Sequence, residues 1–363
     1  MGLVVTATRD EDFAVGNAPT NQFDRSVLVV GAGVTGASIA YHAASRGLAV
    51  TLIDQGLPGM GATQHSFGWI GRSIDSGPSA ELRRLARDDF LRLEREIPTI
   101  SINWCGALTW GDYFACSGDA PLRNPLHVEP QLISAPDNVR FGSHDGSVEP
   151  VMLAESLVEA ARQHGAKVIV GQPAVRLLRT NDVVVGARTP TQTLNATHTV
   201  VAAGTDSAQL CASVGVHLPV YGSPAVMVRL RTRPGLVRHI VANDSIEVRQ
   251  LSDGTLLVPL DYCGQTTQGD LTDTAEKARE EILRTFEVSA SVDILGAAVG
   301  WRPMPADDEP VIGPVPGIPG LYVAVVHPGI TLAATVGRLV AHELADSTSE
   351  VEQFARCRMT RFA

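Results

Sequence analysis

Lysine is almost missing from this sequence. Lys167 and Lys277 are the only lysines among 363 residues, so arginine carries nearly all of the positive charge. The formal net charge is −10, and no stripe of basic residues with interleaved aromatics occurs. A nucleic-acid-binding protein usually has such a basic footprint. We therefore expect no nucleic-acid partner.

Cysteine is scarce and irregularly spaced. The cysteines are odd in number and include no Cys-x-x-Cys pair; they are Cys105, Cys116, Cys211, Cys263 and Cys357. This pattern argues against both a disulfide framework and a metal site. It predicts reduced thiols in a cytoplasmic protein.

Long apolar runs are absent as well. No run approaches the roughly 20 residues that a membrane helix needs, so we expect no membrane partner. The segment 8–13 is acidic where a signal peptide would be basic and then apolar. We interpret residues 1–25 as a flexible lead-in before the first strand.

The most informative segment that is present starts at Ser26. An apolar strand leads into a Gly-x-Gly-x-x-Gly turn at Gly31, Gly33 and Gly36, followed by an alanine-rich helix and a second strand that ends at Asp54. This order is typical of a dinucleotide-binding βαβ unit. The glycines permit the tight turn, the approach of a pyrophosphate and close helix packing, and the helix start holds the phosphates. Asp54 would accept hydrogen bonds from an adenosine ribose.

The rest of the chain shows two kinds of periodicity. Helical spacing predicts helices over 81–97, 153–164, 274–286 and 331–345, with buried strands over 199–204 and 321–325. The segment 226–260 alternates with period two, as in an antiparallel sheet. The glycine-rich stretch 56–77 is too polar and broken to predict an element. The predicted fold class is α/β (α+β): a Rossmann-like domain with an inserted, mostly antiparallel sheet.

Five further motifs extend this prediction; together with the βαβ unit they make six in a fixed order. After the βαβ unit come Gly61–Ile70, Gly146–Pro150, Val200–Ser207, Gly300–Pro305 with Pro310–Gly313, and His327–Ala333. Through these motifs the chain resembles the D-amino-acid oxidase, glycine oxidase and sarcosine oxidase family of FAD-dependent amine-oxidising enzymes. The resemblance covers nearly the whole chain after the lead-in.

The resemblance implies both an organisation and a reaction. The FAD-binding domain would comprise 26–101, 142–219 and 296–363, and the substrate domain 102–141 and 220–295. A hydride would pass from the carbon next to an amine nitrogen to flavin N5, and water would hydrolyse the imine. The substrate, an amine or amino acid, stays open, as does the oligomeric state.

Cofactor contacts are expected from several separated segments. Free N–H groups before the last helix would face the pyrimidine edge of the flavin and stabilise its reduced, negatively charged form. The full set of expected contacts is Gly31, Ala32, Gly33, Val34, Thr35, Gly36, Asp54, Gln55, Ala62, Thr63, His65, Ser66, Gly68, Trp69, Val175, Ala203, Gly204, Pro328, Gly329, Ile330 and Thr331.

The candidates for substrate binding and catalysis are fewer. Arg302 matches the family's arginine that holds a substrate carboxylate, a role that suits a guanidinium because it binds bidentately and stays charged. A loop-anchoring role for Arg302 is the alternative. Arg249, Tyr262 and Tyr221 are further candidates from the sheet domain, and His327 is a candidate at the flavin edge.

His65 raises the question of a covalent flavin. In the dimethylglycine and sarcosine dehydrogenases, a histidine at this place in the glycine-rich segment is bonded to the flavin ring methyl. A polar loop residue is the alternative interpretation. The other covalent route in the family uses a cysteine where this chain has Trp301, so that route is closed.

Alternative functions stay open at this point. Some members of the family use a lysine near flavin N5 to promote the attack by oxygen, and neither Lys167 nor Lys277 fits that role. This favours a dehydrogenase, or an oxidase that uses histidine instead. The electron acceptor would be oxygen or another compound. A flavin monooxygenase of the hydroxybenzoate type would carry a Gly-Asp-Ala motif where this chain has His327-Pro328-Gly329. A purely NAD-linked dehydrogenase is disfavoured by the motif at the flavin edge. A non-catalytic flavin-binding protein is the remaining alternative, because fold alone does not prove function.

Overall fold

The computed structural model describes residues 26–71, 77–111, 121–134, 138–346 and 351–362. The predicted lead-in over 1–25 and Cys116 lie outside the described residues. The α-helices of the described ranges are α1 Val34–Ser45, α2 Pro78–Glu96, α3 Pro125–Val128, α4 Pro150–Gln163, α5 Ser207–Ala212, α6 Gln268–Thr285 and α7 Gly329–Ala345.

The strands confirm the mixed α/β class. In chain order they are β1 Ser26–Val30, β2 Ala49–Ile53, β3 Trp69–Ile70, β4 Ala107–Thr109, β5 Pro121–Leu122, β6 Val139–Gly142, β7 Gly146–Ser147, β8 Lys167–Ile169, β9 Arg176–Thr180, β10 Val183–Arg188, β11 Thr193–Asn195, β12 His198–Val201, β13 Val220–Arg231, β14 Ile240–Ala242, β15 Glu247–Gln250, β16 Thr255–Asp261, β17 Asp293–Pro305, β18 Val311–Pro314 and β19 Leu321–Val325.

A six-stranded, mainly parallel sheet forms the Rossmann-like part of the molecule. Its order is β18-β19-β12-β1-β2-β8, and only β18 runs antiparallel to its neighbour. The central strand β1 is buried on both faces, which explains its unbroken run of apolar residues. Helices α1, α4 and α7 pack together on one face. A side chain at Gly337 of α7 would overlap Ser38 of α1, so glycine is required at this helix contact.

An eight-stranded, mostly antiparallel sheet forms the second part of the molecule. Its order is β17-β13-β16-β15-β14-β4-β6-β5, and only the pair of β14 with β4 is parallel. Helix α6 packs on this sheet and buries Ile282 in a core shared with Phe286 and Val226. The predicted inserted antiparallel sheet is therefore confirmed. Strand β17 crosses the predicted domain boundary at residue 296; the division into domains stays a prediction.

Several element boundaries differ from the predicted ones for identifiable local reasons. Helix α6 begins at Gln268 rather than 274, because Thr267 and Asp270 form a capping box, each side chain accepting from the other's backbone N–H. Helices α2 and α4 begin earlier than predicted, with Pro78 and Pro150 in their first turns. The stretch 56–77 was predicted to hold no element, which is wrong: it contains a 3₁₀ turn over Ala62–His65 and the short strand β3.

Candidate active site

The glycine turn after β1 forms as its spacing predicts. Gly31 has a φ of +106°, and any side chain there would overlap the carbonyl of Ala202 on the neighbouring strand's end. A side chain at Gly36 would overlap the carbonyl oxygen of Gly31, so the third glycine is needed by the turn itself. The turn brings Gly31 and Gly33 into the wall of a cavity, while Gly36 and Ala32 lie behind that wall.

Asp54 is held rigidly at the end of β2. One carboxylate oxygen accepts a hydrogen bond from the backbone N–H of Ala32 at 2.6 Å, and the other accepts from Gly56 at 2.7 Å. A carboxylate has about four lone-pair sites, so two remain for a ligand. Gln55 lies beside it and donates to Asp206 at 3.3 Å. This end of the cavity is suited to the hydroxyls of a ribose.

The glycine-rich segment is fastened to the start of α1. The hydroxyl of the buried Thr63 accepts a hydrogen bond from the N–H of Val34 at 3.1 Å. Val34 is the first residue of the helix, and the first N–H groups of any helix lack an intrahelical partner. Thr63 satisfies one of them, and Thr35 lines the cavity beside it.

The other end of the cavity is bordered by the start of α7. Thr331 donates from its hydroxyl to the carbonyl of Trp69 at 2.9 Å and accepts from the N–H of Gly71 at 3.5 Å. Pro328, Gly329 and the first turn of α7 line the cavity at this point. A helix N-terminus there can stabilise negative charge.

His327 lies in the cavity wall just before α7, largely buried. Burial, together with the positive charges of Arg302 and Arg83, lowers the pKa of His327 to about 4, while Asp308 opposes the shift. The imidazole is therefore neutral at pH 7. Arg302 also lines the cavity; its guanidinium is exposed and donates to the hydroxyl of Ser223 at 2.9 Å. The side chain is thus oriented by its own sheet.

His65 projects from the 3₁₀ turn towards β17. It lines the cavity and is partly buried. A Cβ at Gly300 would lie 2.5 Å from the Cβ of His65, so glycine at 300 lets the two segments approach. Burial, with a smaller effect of Arg229, lowers the pKa of His65. A neutral imidazole with an available nitrogen lone pair follows.

The structure brings most of the predicted cofactor and substrate residues around one cavity of about 660 Å³. This volume lies within the range of about 300–1,000 Å³ usual for small-molecule and cofactor sites. The predicted residues on its wall are Gly31, Gly33, Val34, Thr35, Asp54, Gln55, Ala62, Thr63, His65, Ser66, Gly68, Trp69, Ala203, Gly204, Arg302, His327, Pro328, Gly329, Ile330 and Thr331.

Besides Ala32 and Gly36, the predicted residues Val175 and Arg249 are not on the wall. Val175 is exposed and its N–H pairs with the carbonyl of Arg188 in the small sheet of β9 and β10, whereas its neighbour Ala174 lines the cavity. Arg249 is buried behind the wall. It donates to the carbonyls of Phe67 at 2.5 Å and Val148 at 3.0 Å and forms an ion pair with Glu149 at 2.9 Å. Its guanidinium ties the glycine-rich segment to the sheet.

The two predicted tyrosines are peripheral. Tyr262 is not on the cavity wall, but its ring centre lies 6.2 Å from that of Trp301, which is on the wall and half exposed. Tyr221 is exposed, and its hydroxyl donates to Asp308 at 3.4 Å. Trp301 and Tyr262 thus form an aromatic pair at the rim.

Sequence reasoning missed three charged residues of the wall, Arg83, Asp206 and Glu247. Asp206 lies within the motif Val200–Ser207 but was not predicted as a contact. Arg83 lies in helix α2, whose pattern of buried Leu82, Ala86 and Phe90 gives no sign of a site on another face. Glu247 begins β15, where period-two alternation predicts a solvent-facing polar residue. Only the packing of two sheets around the cavity turns these side chains into wall residues.

Within the described residues, no group of three or more potential ligands is placed to hold a metal ion. None of the helices in the described ranges has the length and apolarity that crossing a bilayer requires. Cys105, Cys211, Cys263 and Cys357 form no disulfide among themselves.

The residues present fit FAD. The glycine turn and the start of α1 can hold a pyrophosphate, the fixed carboxylate of Asp54 can hold a ribose, and the start of α7 can face an electron-rich ring. These three features lie on one continuous wall. Ala203, which follows β12, and Met227 of β13 line the same wall.

Comparison with known proteins agrees with this geometry. A family model described as "FAD dependent oxidoreductase" matches residues 26–343. Glycine oxidase of Pseudomonas aeruginosa is 26% identical over 342 residues, which cover 87% of this chain and 93% of that enzyme. Glycine oxidase of Bacillus licheniformis is 24% identical over 358 residues, covering 90% and 94%.

A solved structure has the same fold. The crystal structure of glycine oxidase from Geobacillus kaustophilus superposes with a TM-score of 0.80 at 24% identity, covering 92% of this chain and 98% of that one. Because the identity is low, this likeness speaks for the fold alone. It supports the mixed α/β architecture described above.

Proposed function

Because this chain belongs to the family of FAD-dependent oxidoreductases, we propose that it oxidises a carbon–nitrogen bond of a small amine or amino acid. One observation carries the proposal: a single cavity joins the dinucleotide turn at Gly31 to Arg302 and His327 on the opposite side. Glycine oxidases among its relatives act on an amino acid, which supports the same substrate class.

The chemistry that FAD supplies when bound is acceptance of a hydride at flavin N5 from the carbon next to the substrate nitrogen; the resulting imine is hydrolysed by water. The protein's own residues bind and orient. Arg302 would hold a substrate carboxylate through two parallel N–H donors. His327 is neutral at pH 7, so it offers one donor and one acceptor without adding charge.

The cofactor would be held by backbone more than by charge. The N–H groups at the starts of α1 and α7 would face the pyrophosphate and the pyrimidine edge of the flavin respectively. Asp54 would bind the ribose, since two backbone donors already fix its orientation. Little acid–base machinery is needed, because the substrate nitrogen only has to be unprotonated.

We further propose a covalent bond between His65 and the flavin ring methyl. Its support is the neutral imidazole on the cavity wall, close to β17. One N–H and one methyl C–H bond are exchanged for a C–N bond. The two electrons and two protons released pass to molecular oxygen or another two-electron acceptor.

Acid precipitation tests the covalent bond. We expect the yellow colour to stay with the precipitated wild-type chain and to be released from His65→Asn. His144→Asn, at an exposed position, should behave like wild type. Complete release from the wild-type chain would contradict the bond while leaving the oxidation proposal intact.

Anaerobic mixing with a panel of amines and amino acids tests the main proposal. At least one compound should bleach the flavin absorbance, and re-admitted air or an artificial acceptor should restore it. The relative rates with air and with the artificial acceptor distinguish an oxidase from a dehydrogenase. Flavin that binds but is bleached by no amine would favour a non-catalytic flavin protein.

We place the protein in the cytoplasm, with small molecules as its partners. The support is the set of unpaired cysteines among the described residues, since disulfides are common in oxidising compartments. Fractionation of cells that produce the tagged chain tests this location. Recovery in a membrane or secreted fraction would overturn it.

A further inference from the structure

The cavity wall carries charges of both signs from three different elements. Arg83 comes from α2, Arg302 from β17 and Glu247 from β15, and all three line the same cavity. The other acidic wall residues, Asp54 and Asp206, belong to the ribose end. Arg83 and Arg302, whose charges both influence His327, bring two guanidinium groups to the reactive end.

The segments that carry the two arginines are connected to each other. Glu309 follows the strand that carries Arg302, and its carboxylate accepts a hydrogen bond from the N–H of Ser79 at 2.9 Å. Ser79 lies in the first turn of α2, one helical turn before Arg83. The start of α2 is thus tied to the loop after β17, so both guanidinium groups belong to one connected framework.

Arg302 and Arg83 also have His327 as a common neighbour, which agrees with this connection. Both Arg302 and Arg83 act on His327, and burial with these two charges keeps its imidazole neutral at pH 7. The nearby Asp308 is not on the cavity wall, and its carboxylate accepts a hydrogen bond from the hydroxyl of Tyr221. No wall histidine therefore changes the charge count of this end at pH 7, since the pKa of His65 is lowered as well.

We propose, building on the amine oxidation proposed above, that the substrate carries two carboxylates, one bound by Arg302 and the second by Arg83. The two negative charges of such a substrate complement the two guanidinium groups. A guanidinium has five N–H donors and a carboxylate about four acceptor sites. A guanidinium can therefore contact a protein group and a ligand carboxylate at the same time.

Matched pairs of compounds test this substrate class in the holoprotein. One pair is N-methylglycine with iminodiacetate, and the other is alanine with aspartate. The members of each pair differ by one carboxylate. Both enantiomers of alanine and of aspartate are used. Anaerobic flavin reduction should be faster, at equal low concentration, with the dicarboxylate of at least one pair. Arg83→Met should reduce that preference roughly 10- to 100-fold, the value of a charge-assisted hydrogen-bonded contact.

The neighbouring residue supplies the control. Arg84 is exposed on the same helix, and Arg84→Met should keep the preference of the wild type. Monocarboxylates that react as fast as or faster than their partners in the wild type would overturn the proposal. So would an Arg83→Met variant that slows both members of a pair equally.

A binding measurement separates this inference from the oxidation proposal. Calorimetric titration of the holoprotein with malonate and with propanoate requires no turnover. Malonate should bind at least tenfold more tightly, and Arg83→Met should abolish the difference. If no amine reduces the flavin but malonate still binds selectively, only the oxidation proposal fails. Equal binding of the two acids overturns the dicarboxylate site itself.

Discussion

The hydroxyl of Thr63 lies 3.1 Å from the backbone nitrogen of Val34 and accepts its hydrogen bond. This contact joins two segments that are 29 residues apart. It completes the first turn of the dinucleotide helix and, at the same time, sets the position of the segment that carries His65.

Thr63→Val should therefore weaken both the fold and the cofactor site. The valine keeps the shape but leaves the buried N–H of Val34 without its acceptor, which costs about 1–2 kcal/mol of unfolding free energy. We expect FAD affinity to fall roughly tenfold in parallel. Urea unfolding and fluorescence titration of the apoprotein measure the two effects. Thr63→Ser retains the hydroxyl, so its stability and FAD affinity should stay near those of the wild type. If Thr63→Val has the stability and FAD affinity of the wild type, the contact does not have this role.

Gly36→Ala tests the steric requirement of the turn. Its methyl group would overlap the carbonyl oxygen of Gly31, so the backbone must shift at a cost of about 1–3 kcal/mol or more. We expect a lowered melting temperature and loss of FAD binding. The matched control is Gly269→Ala, in the first turn of α6, where the methyl group would have ordinary contact distance to Thr267. Equal melting temperatures for the two variants would show that the turn tolerates a side chain.

Arg302→Met should act on substrate rather than on cofactor. Loss of two charge-assisted hydrogen bonds to a carboxylate should lower kcat/KM for amino acids roughly 100-fold, whereas simple amines without a carboxylate should be affected much less. FAD affinity should not change. Arg231→Met, which removes an exposed guanidinium paired with Asp253 in the same sheet, is the control. If carboxylate-free amines lose as much activity as amino acids, Arg302 has another role.

The neutral state of His327 predicts a pH dependence of stability. Its pKa is about 4 in the folded protein and near 6.5 in the unfolded chain, so between these values only the unfolded state binds the proton. The contribution of His327 to the free energy of unfolding is therefore fully present above about pH 6.5. It falls by about 1–3 kcal/mol as the pH decreases to 4.

Urea unfolding of the apoprotein at pH 7 and pH 4.5 measures this loss. His327→Asn removes the titrating group, so the variant should lose less stability over the same interval than the wild type. The buried His42, whose pKa burial also lowers, contributes equally to both proteins and cancels in the comparison. Identical losses would show that the pKa of His327 is not lowered in the folded protein.

The cofactor half of the site was predictable because its information is local. The turn at Gly31, Gly33 and Gly36 and the carboxylate of Asp54 lie within one βαβ unit of about thirty residues. Its strand and helix periods, and the positive φ of Gly31, can be recognised from sequence spacing alone. The start of α7 was predictable in the same way, since a buried strand ending at Val325 is followed directly by helical spacing.

The substrate half was not predictable because it depends on packing between distant segments. Arg83 and Glu247 are separated by more than 160 positions, and neither periodicity nor a motif distinguishes them from surface residues. Arg249 shows the opposite error in reasoning from residue type. A charged residue in a strand was expected at the site, yet its guanidinium is buried behind the wall, where it satisfies the carbonyls of Phe67 and Val148.

The sequence by itself determined that this chain has a dinucleotide turn, the family motifs and an inserted antiparallel sheet, because each is visible as a pattern of residues close along the chain. The tertiary structure alone decided which charges face the reactive end of the cavity. That choice depends on how the eight-stranded sheet, α2 and the start of α7 are packed together. Such long-range packing leaves no periodic pattern in the sequence.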